Sequence, residues 1–542
     1  MPRFFSRLRA RRAPAQRTFF QPVFDFPNAS PALESAGASS DALGGRVARG
    51  ASWTVAGQLL TQLLGVTRTV VLAHLLTKDD FGLAAMALTV SGALYVLTNT
   101  GVVASVISAP FDDETELHRY ADLVWTMEVA RGFVVAFLML LLSAPLARFY
   151  GQEVRLFPVL LLLSLEPLFP SNIGLVLRSR RLDLKPATLS ALCANTCSVL
   201  ATLALAWWLR SYWAIVWGAL LGSVFTTAFS FFFSRYVPRF TWQTALAKRA
   251  WNFGKWQFVI GACNYALTTM DNVLVGKFFG PAVLGIYFVA YSFCTMARSL
   301  VNNAFNTVLF PAFAQAGREN DPARLRSLVE RAFALGCATM TATLVPLIAF
   351  APAVVRVFFP KWGIAVVDPM RWLLLAGWFA GLLTLFSAFF VGLDRPRIES
   401  NGKLLDALVF LVALAVLVRP YGPVGAALAG VLAWSVSALW RAKWANDLVP
   451  GSMRALPMLV GASALVSVAA LFLGVLPWVG SGGWLRAFRP ATLDGYGLAK
   501  AWSQLLLGAP LVALASLAGL SLLQPLVRGE LLSLRQKLTR RG

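Results

Sequence analysis

Apolar blocks of about 20 residues recur along the chain, separated by short polar connections. A helix needs about 20 apolar residues to cross the roughly 30 Å hydrocarbon core of a bilayer, so each block predicts one membrane-spanning helix. The predicted spans are 52–76, 81–109, 121–146, 155–177, 187–209, 213–234, 255–279, 283–311, 327–350, 367–392, 404–419, 422–445, 455–478 and 502–527. The pattern therefore predicts an all-α, polytopic membrane protein with about fourteen transmembrane helices.

The blocks fall into groups of six, six and two, which predicts two six-helix lobes followed by a C-terminal helix pair. We expect a disordered basic cytoplasmic tail over 1–50, an N-terminal lobe over 51–250 and a C-terminal lobe over 251–450. The remaining residues, 451–542, hold the extra helix pair and a basic cytoplasmic C-terminus.

An internal repeat supports this division. A shift of 203 residues places Gly82 on Gly285 and Asn99 on Asn302 without any gap. Because an even number of spans separates the copies, the halves are expected to be parallel repeats related by an axis along the membrane normal. Such an arrangement predicts a site shared between the lobes.

Composition and charge agree with a membrane protein. Hydrophobic residues make up 58% of the chain and charged residues 13%, against about 25% charged in soluble domains. The net charge of +23 is spread over the connections and forms no basic domain, which argues against nucleic-acid binding. The connections on the side of the N-terminus carry about three times as many Lys and Arg residues as the others, so both termini are expected in the cytoplasm.

Enzymatic and metal-binding signatures are largely missing. The sequence has no Walker A, HExxH or CxxC motif and only two histidines, so we expect no catalytic residue, metal or cofactor. Cys193 and Cys197 share a helix face, but no histidine lies near them, which favours packing over metal binding. A transporter is therefore favoured over an enzyme.

Four ionisable residues lie within predicted spans, namely Arg68, Glu166, Asp271 and Arg298. A charge at the centre of a membrane helix costs about 2.5–3.5 kcal/mol on insertion scales, so it is tolerated chiefly where it lines water or finds a partner. The repeat register places Arg68 on Asp271, which predicts opposite charges facing one another across the axis. Purely structural roles stay open for all four. Arg68 can extend to the membrane surface more readily than the short Asp271, and Arg298 lies deeper, which favours a cavity. A protonated Glu166 can hydrogen-bond carbonyl groups left free where the following prolines break the helix.

Four further polar residues are secondary candidates. Glu128 and Arg131 stand three positions apart on one helix, where a local ion pair also explains them. Asn99 and Asn302 can line a site or hydrogen-bond across helices for structural reasons alone.

The segment 52–82, with Trp53 near its start and Phe81-Gly82 at its end, resembles the first two helices of the Wzx-type oligosaccharide flippases of the MOP exporter superfamily. The segment 271–287, which ends in Leu284-Gly285-Ile286-Tyr287, is similar to their seventh and eighth helices. With the layout of six, six and two spans, the resemblance extends over residues 50–527.

The resemblance implies a V-shaped bundle of two lobes that moves undecaprenyl pyrophosphate-linked oligosaccharide across the bacterial inner membrane by alternating access. Family members hold the pyrophosphate with cationic residues in a central cavity, a role that falls on Arg68 and Arg298 here. Asp271 and Glu166 are the candidate coupling acids. The expected partners are the lipid-linked oligosaccharide, membrane lipid and the polymerase and chain-length machinery of surface polysaccharide.

Two alternative functions remain open. One is a drug or peptidoglycan-precursor exporter of the same superfamily. The other is a membrane-bound polysaccharide polymerase or ligase, although no connection is long enough to hold a soluble catalytic domain.

Overall fold

The computed structural model describes residues 40–463, apart from 100, 109, 110, 112, 182, 320 and 455, and residues 504–523. In these two ranges every regular element is a helix, which confirms the predicted all-α class. The main helices are α1 (Ser40–Leu75), α2 (Lys78–Thr98), α3 (Val102–Ser108), α4 (Glu114–Tyr150), α5 (Glu153–Leu163), α6 (Gly174–Arg180), α7 (Lys185–Leu209), α8 (Trp213–Ser234), α9 (Thr244–Arg318), α10 (Pro322–Ala349), α11 (Ala351–Phe358), α12 (Val367–Gly392), α13 (Pro396–Leu448) and α14 (Ala509–Leu523).

Eight helices in the described part of the chain are long and apolar enough to cross a membrane, and they lie in α2, α4, α7, α8, α9, α10, α12 and α13. The chain is therefore a multi-pass membrane protein. Most of the predicted tail 1–50, most of span 455–478 and the C-terminal tail lie outside the described residues. The count of fourteen spans and the four-region division stay predictions.

Two of these helices are hairpins rather than single spans. A straight helix of the 75 residues in α9 would be far longer than the roughly 30 Å hydrocarbon core. The backbone instead breaks at Gly280 with φ of +78°, and α13 breaks in the same way at Gly422 with φ of +58°. Glycine suits both breaks because it has no Cβ to clash at positive φ. Each break falls where one apolar block gives way to the next in the sequence.

The predicted fourth span, 155–177, is not one continuous helix. It divides into α5, a 3-10 turn over Glu166–Leu168 and α6, because Pro167 and Pro170 cannot continue a helical hydrogen-bond ladder. Helix α4 packs closely on this break: a Cβ atom on Gly132 would lie 2.2 Å from the Pro167 carbonyl oxygen. The predicted second span likewise ends early, since α2 stops at Thr98 and α3 starts at Val102.

Helices α2 and α9 cross with their backbones in contact. A Cβ atom on Gly82 would lie 1.7 Å from the Pro281 carbonyl oxygen, and one on Gly285 would lie 2.1 Å from the Lys78 carbonyl oxygen. The same 203-residue shift relates Gly82 to Gly285 and Lys78 to Pro281, so the contact maps onto itself when the halves are exchanged. We call the end of the bundle that contains this contact the crossing end.

The connection between α8 and α9 is bound to the start of α4. The Asp122 carboxylate accepts hydrogen bonds from the Tyr236 hydroxyl at 2.6 Å and from the Arg239 backbone amide at 3.1 Å. Burial and the bond to Asp122 raise the pKa of the Tyr236 phenol, which keeps it protonated as a donor. The segment that joins the two halves is thus attached to the N-terminal half.

Candidate functional site

Arg68 lies on a cleft of about 420 Å³ between α1 and the second half of α9. Polar side chains of both helices line this cleft, including Gln62, Tyr291 and Thr295. Arg68 is half-buried, and no described acidic residue pairs with its guanidinium. The Gln62 Oε1 atom is also buried without a hydrogen-bond partner. An unpaired guanidinium can bind a phosphate or carboxylate oxygen.

The counterpart of this cleft under the repeat is filled. Tyr265, which the 203-residue shift places on Gln62, donates from its hydroxyl to the Thr89 carbonyl oxygen. A Cβ atom on Gly92 would lie 3.2 Å from the same hydroxyl. The α1–α9 interface is therefore open where the α2–α9 interface is closed by a tyrosine, so the two sides of the axis differ chemically.

Asp271 is buried inside the α9 hairpin, with 3% of its surface exposed. One carboxylate oxygen accepts from the Tyr287 hydroxyl at 2.6 Å and the other from the Asn272 amide at 2.8 Å. Arg68 and Asp271 do not form an ion pair, because Asp271 is bonded within the hairpin while Arg68 lies on the cleft. The repeat register alone did not reveal that the Asp271 partner comes from its own hairpin.

Arg298 lies within the C-terminal half, between α9, α12 and α13. Its guanidinium carbon is 5.8 Å from the Trp434 ring centroid, and its Cδ would be 3.8 Å from a Cβ atom on Gly377. Across the described residues no carboxylate forms a salt bridge with it. An aromatic face stabilises a cation but leaves its N–H donors available for an anion.

Tyr291 lies near three of the predicted site residues, Arg68, Asp271 and Arg298. It lines the Arg68 cleft, and its phenol lies within electrostatic range of both Asp271 and Arg298. Its hydroxyl donates to the Thr268 carbonyl oxygen at 3.2 Å. Sequence reasoning missed Tyr291, although its spacing of seven residues from Arg298 puts both on one helix face.

Glu166 belongs to a separate group in the N-terminal half. It lies on the 3-10 turn after α5, and its two oxygens accept from Ser91 of α2 and Ser223 of α8, each at 3.3 Å. The broken helix therefore places a partly buried carboxyl group between two other helices. Such a group can exchange a proton while two hydroxyl groups hold it in place.

Glu128 and Arg131 form the local ion pair that their spacing allows, with 2.6 Å between nitrogen and oxygen. The Arg131 guanidinium also lies 4.4 Å from the Tyr95 ring centroid. Tyr95 is one helical turn from Ser91, so this pair and the Glu166 group contact neighbouring turns of α2. Glu128 neutralises Arg131, which distinguishes it from Arg68 and Arg298.

The two asparagines related by the repeat have different surroundings. Asn99 ends α2 and accepts from the Gly101 amide at 2.8 Å, a structural role. The Oδ1 atom of Asn302 is buried without a hydrogen-bond partner.

A buried ionic cluster in α13 went unrecognised in the sequence. Arg441, with no exposed surface, forms two hydrogen bonds to Asp406 at 3.0 and 3.1 Å and one to Glu399 at 3.2 Å. Gly402 makes room for it, since a Cβ there would lie 2.6 Å from the guanidinium carbon. The seven-residue spacing of Glu399 and Asp406 was the available signal. This cluster joins the two arms of α13, and its charges are already paired.

The sequence signature of the polysaccharide biosynthesis protein family matches residues 71–366, more than half of the chain. The chain belongs to the polysaccharide biosynthesis protein family. The match includes Glu166, Asp271 and Arg298 and begins three residues after Arg68. It confirms the family resemblance that segments 52–82 and 271–287 carry.

Relatives of this family member have transport or biosynthesis names. The lipopolysaccharide biosynthesis protein WzxC of Escherichia coli (strain K12) is 24% identical over 411 residues, covering 71% of this chain and 77% of that protein. The succinoglycan biosynthesis transport protein ExoT of Rhizobium meliloti (strain 1021) is 24% identical over 403 residues, covering 72% and 76%. In both cases the similarity extends over most of the relative.

A solved structure shares the architecture of this family member. The lipid II flippase MurJ in its inward closed conformation superposes with a TM-score of 0.63 at 14% identity, covering 79% of this chain and 98% of that one. This likeness establishes a common helical fold.

Proposed function

We propose that the chain is a flippase that transfers undecaprenyl pyrophosphate-linked oligosaccharide from the inner to the outer leaflet of the bacterial inner membrane. The product would serve O-antigen, capsule or exopolysaccharide synthesis. The observation that carries this proposal is the unpaired Arg68 guanidinium on the cleft next to Tyr291, in a member of the polysaccharide biosynthesis protein family. Both termini lie in the cytoplasm in this proposal.

The chemistry of the substrate fits two unpaired arginines. A guanidinium fork matches the oxygens of a pyrophosphate and forms two parallel hydrogen bonds. Arg68 would bind this group on the cleft, and Arg298 would supply a second cation in the C-terminal half. The polyprenyl tail can stay in the bilayer, so only the polar head needs a hydrated path.

Movement of the head group requires the two halves to rock around the bound pyrophosphate. Asp271 and Glu166 are the acids that would couple this motion to an ion or proton gradient, since each carboxyl group contacts more than one helical segment. Glu128 and Arg131 would support the N-terminal half as a local pair.

The competing functions have less support. WzxC and ExoT are named for surface polysaccharides, which favours an oligosaccharide over a drug as cargo. The transport name of ExoT favours a carrier over a polymerase or ligase. We further propose that the partners are the lipid-linked oligosaccharide, membrane lipid and the polysaccharide polymerase.

The test is reconstitution of the purified chain in liposomes loaded with fluorescent lipid-linked oligosaccharide. Transfer to the opposite leaflet is followed by cleavage with a glycosidase added outside. We expect the wild type to expose the substrate and Arg298→Ala to lose at least about tenfold in rate, because a charged hydrogen bond is worth about 1.5–3 kcal/mol.

The matched control is Arg419→Ala. Arg419 is exposed and also lies over an aromatic ring, 5.0 Å from the Phe278 centroid, so it shares the contact type of Arg298 outside the site. Normal transfer by Arg298→Ala would reject the site assignment. Absence of transfer by the wild type, with drug-exporter substrates moving instead, would reject the function.

A further inference from the structure

We propose that Lys277 and Lys361 close the crossing end of the bundle, each by binding a helix terminus of the opposite half, and that both contacts release when this end opens. The proposal uses the rocking motion of the proposed function and is independent of the cargo. The contacts involve four segments: the ends of α1 and α4, the region of α9 before Gly280, and the 3-10 turn Pro360–Trp362.

The first contact joins α9 to the end of α4. The Lys277 ammonium donates to the Phe149 carbonyl oxygen and lies 4.4 Å from the Phe149 ring centroid. Phe149 is in the last turn of α4, where carbonyl groups lack intrahelical partners. A cation at a helix C-terminus is also favoured by the helix dipole, so Lys277 caps a helix of the other half.

The second contact joins the turn after α11 to the end of α1. The Lys361 ammonium donates to the His74 carbonyl oxygen, again in the last turn of a helix. Beside it, the indole N–H of Trp362 donates to the Ala73 carbonyl oxygen at 2.8 Å. The Trp362 ring packs edge-on against Phe81 at 5.0 Å between centroids.

The two contacts use equivalent positions of the two halves. The 203-residue shift places Ala73 on Gly276 and His74 on Lys277, so the same position in each half is the one that contacts the other half. A Cβ atom on Gly276 would lie 3.2 Å from the Tyr150 ring, next to the Phe149 contact. A rotation that separates the halves at this end must therefore break both contacts together.

Both lysines are suited to reversible contacts. Their side chains are exposed, so water can replace the carbonyl oxygen when the contact breaks and no buried charge remains. The Arg441 cluster differs in this respect, because its charges are buried and would be left without water. The lysine contacts can open in each cycle, whereas the Arg441 cluster holds one half together throughout.

The experiment measures access to the cleft from outside the cell. A Thr295→Cys reporter lines the cleft and is labelled with a membrane-impermeant maleimide in spheroplasts, with the parent chain giving the background of native cysteines. We expect Lys277→Met and Lys361→Met each to raise the labelling rate by about fivefold, since one hydrogen bond shifts a two-state equilibrium by about that factor. The double variant should exceed either single variant.

Three controls make the result specific. Lys248→Met, an exposed lysine near the start of α9, should leave labelling unchanged. Lys277→Arg and Lys361→Arg keep a cationic donor, so each should be labelled at the wild-type rate. Thermal unfolding of each purified variant separates opening from loss of fold, and only folded variants are compared.

Unchanged labelling in the folded double variant would overturn the proposal, and so would an increase seen only in inside-out vesicles. Labelling that depends on the lysines in a chain that moves no oligosaccharide would reject the proposed function and support the lysine contacts. The two proposals therefore fail separately.

Discussion

The Tyr287 hydroxyl donates a 2.6 Å hydrogen bond to the Asp271 carboxylate across the Gly280 break. This bond ties together the two arms of the α9 hairpin. Tyr287→Phe removes the donor from a buried acceptor, so we expect a loss of about 1.5–3 kcal/mol in the free energy of unfolding. The measurement is unfolding of the purified protein in detergent followed by circular dichroism.

Tyr291→Phe is the matched control for this prediction. Its hydroxyl donates to a neutral carbonyl oxygen, that of Thr268, at a more exposed position, so the expected loss is about 0.5 kcal/mol, the low end for an ordinary hydrogen bond. Equal stability of the two variants would contradict a structural role for the Asp271–Tyr287 bond.

Arg441→Met should lower the free energy of unfolding by about 3–5 kcal/mol, because it leaves Asp406 buried without a counter-charge. Glu399 keeps only the distant Lys403 ammonium, 4.0 Å away. Replacing all three residues of the Arg441 cluster by apolar ones of similar size should recover most of this loss. Lys443 is exposed and two residues away, so the free energy of unfolding of Lys443→Met should stay within about 0.5 kcal/mol of the wild-type value. Denaturant titration of the four proteins measures these differences, and an unaffected Arg441→Met would refute the cluster's role.

Glu166→Gln should show whether Glu166 couples transfer to a proton gradient or only stabilises the fold. Glutamine can accept from one of the two serine hydroxyls through its carbonyl oxygen and donate to the other through its amide nitrogen, but it cannot ionise. If this group carries the coupling proton, transfer driven by a pH gradient should fall by at least about tenfold, within the range that a positioned acid or base contributes, while thermal stability is kept. Gradient-driven transfer at the wild-type rate would remove Glu166 from the coupling role.

Arg68→Lys tests whether geometry or charge is needed at the cleft. Lysine keeps the charge and loses the planar fork, so we expect transfer to drop by about tenfold or more if a pyrophosphate is bound in two-point fashion. Rates measured in liposomes against Arg68→Ala give the comparison. A Lys variant as active as the wild type would show that a point charge is sufficient there.

Much of the fold was accessible from the sequence because membrane helices obey one strong rule of length and polarity. The hairpin breaks at Gly280 and Gly422 fell at the junctions of predicted spans for that reason. The rule was less informative for 155–177, where the apolar run is continuous but the helix is not. Apolarity predicts a span there, and only the effect of Pro167 and Pro170 on the backbone shows that the helix must break.

The candidate site was accessible only in part. Costly charges within spans drew attention to Arg68, Asp271 and Arg298, but the sequence does not tell which side chains face each of them. The partner of Asp271 is Tyr287, sixteen residues away across a break, and Arg441 finds Asp406 across another hairpin. Such pairs depend on how two helix arms are aligned, which periodicity within one helix cannot specify.

The contact between α2 and α9 at Gly82 and Gly285 is made by main-chain atoms, with no side chain between them. Closure at that point therefore makes no demand on the amino acids that surround the cargo. Substitutions among those amino acids leave this contact unchanged, because the two glycines set how closely the helices approach at this end. A transporter built this way can acquire a new glycan without redesigning its motion.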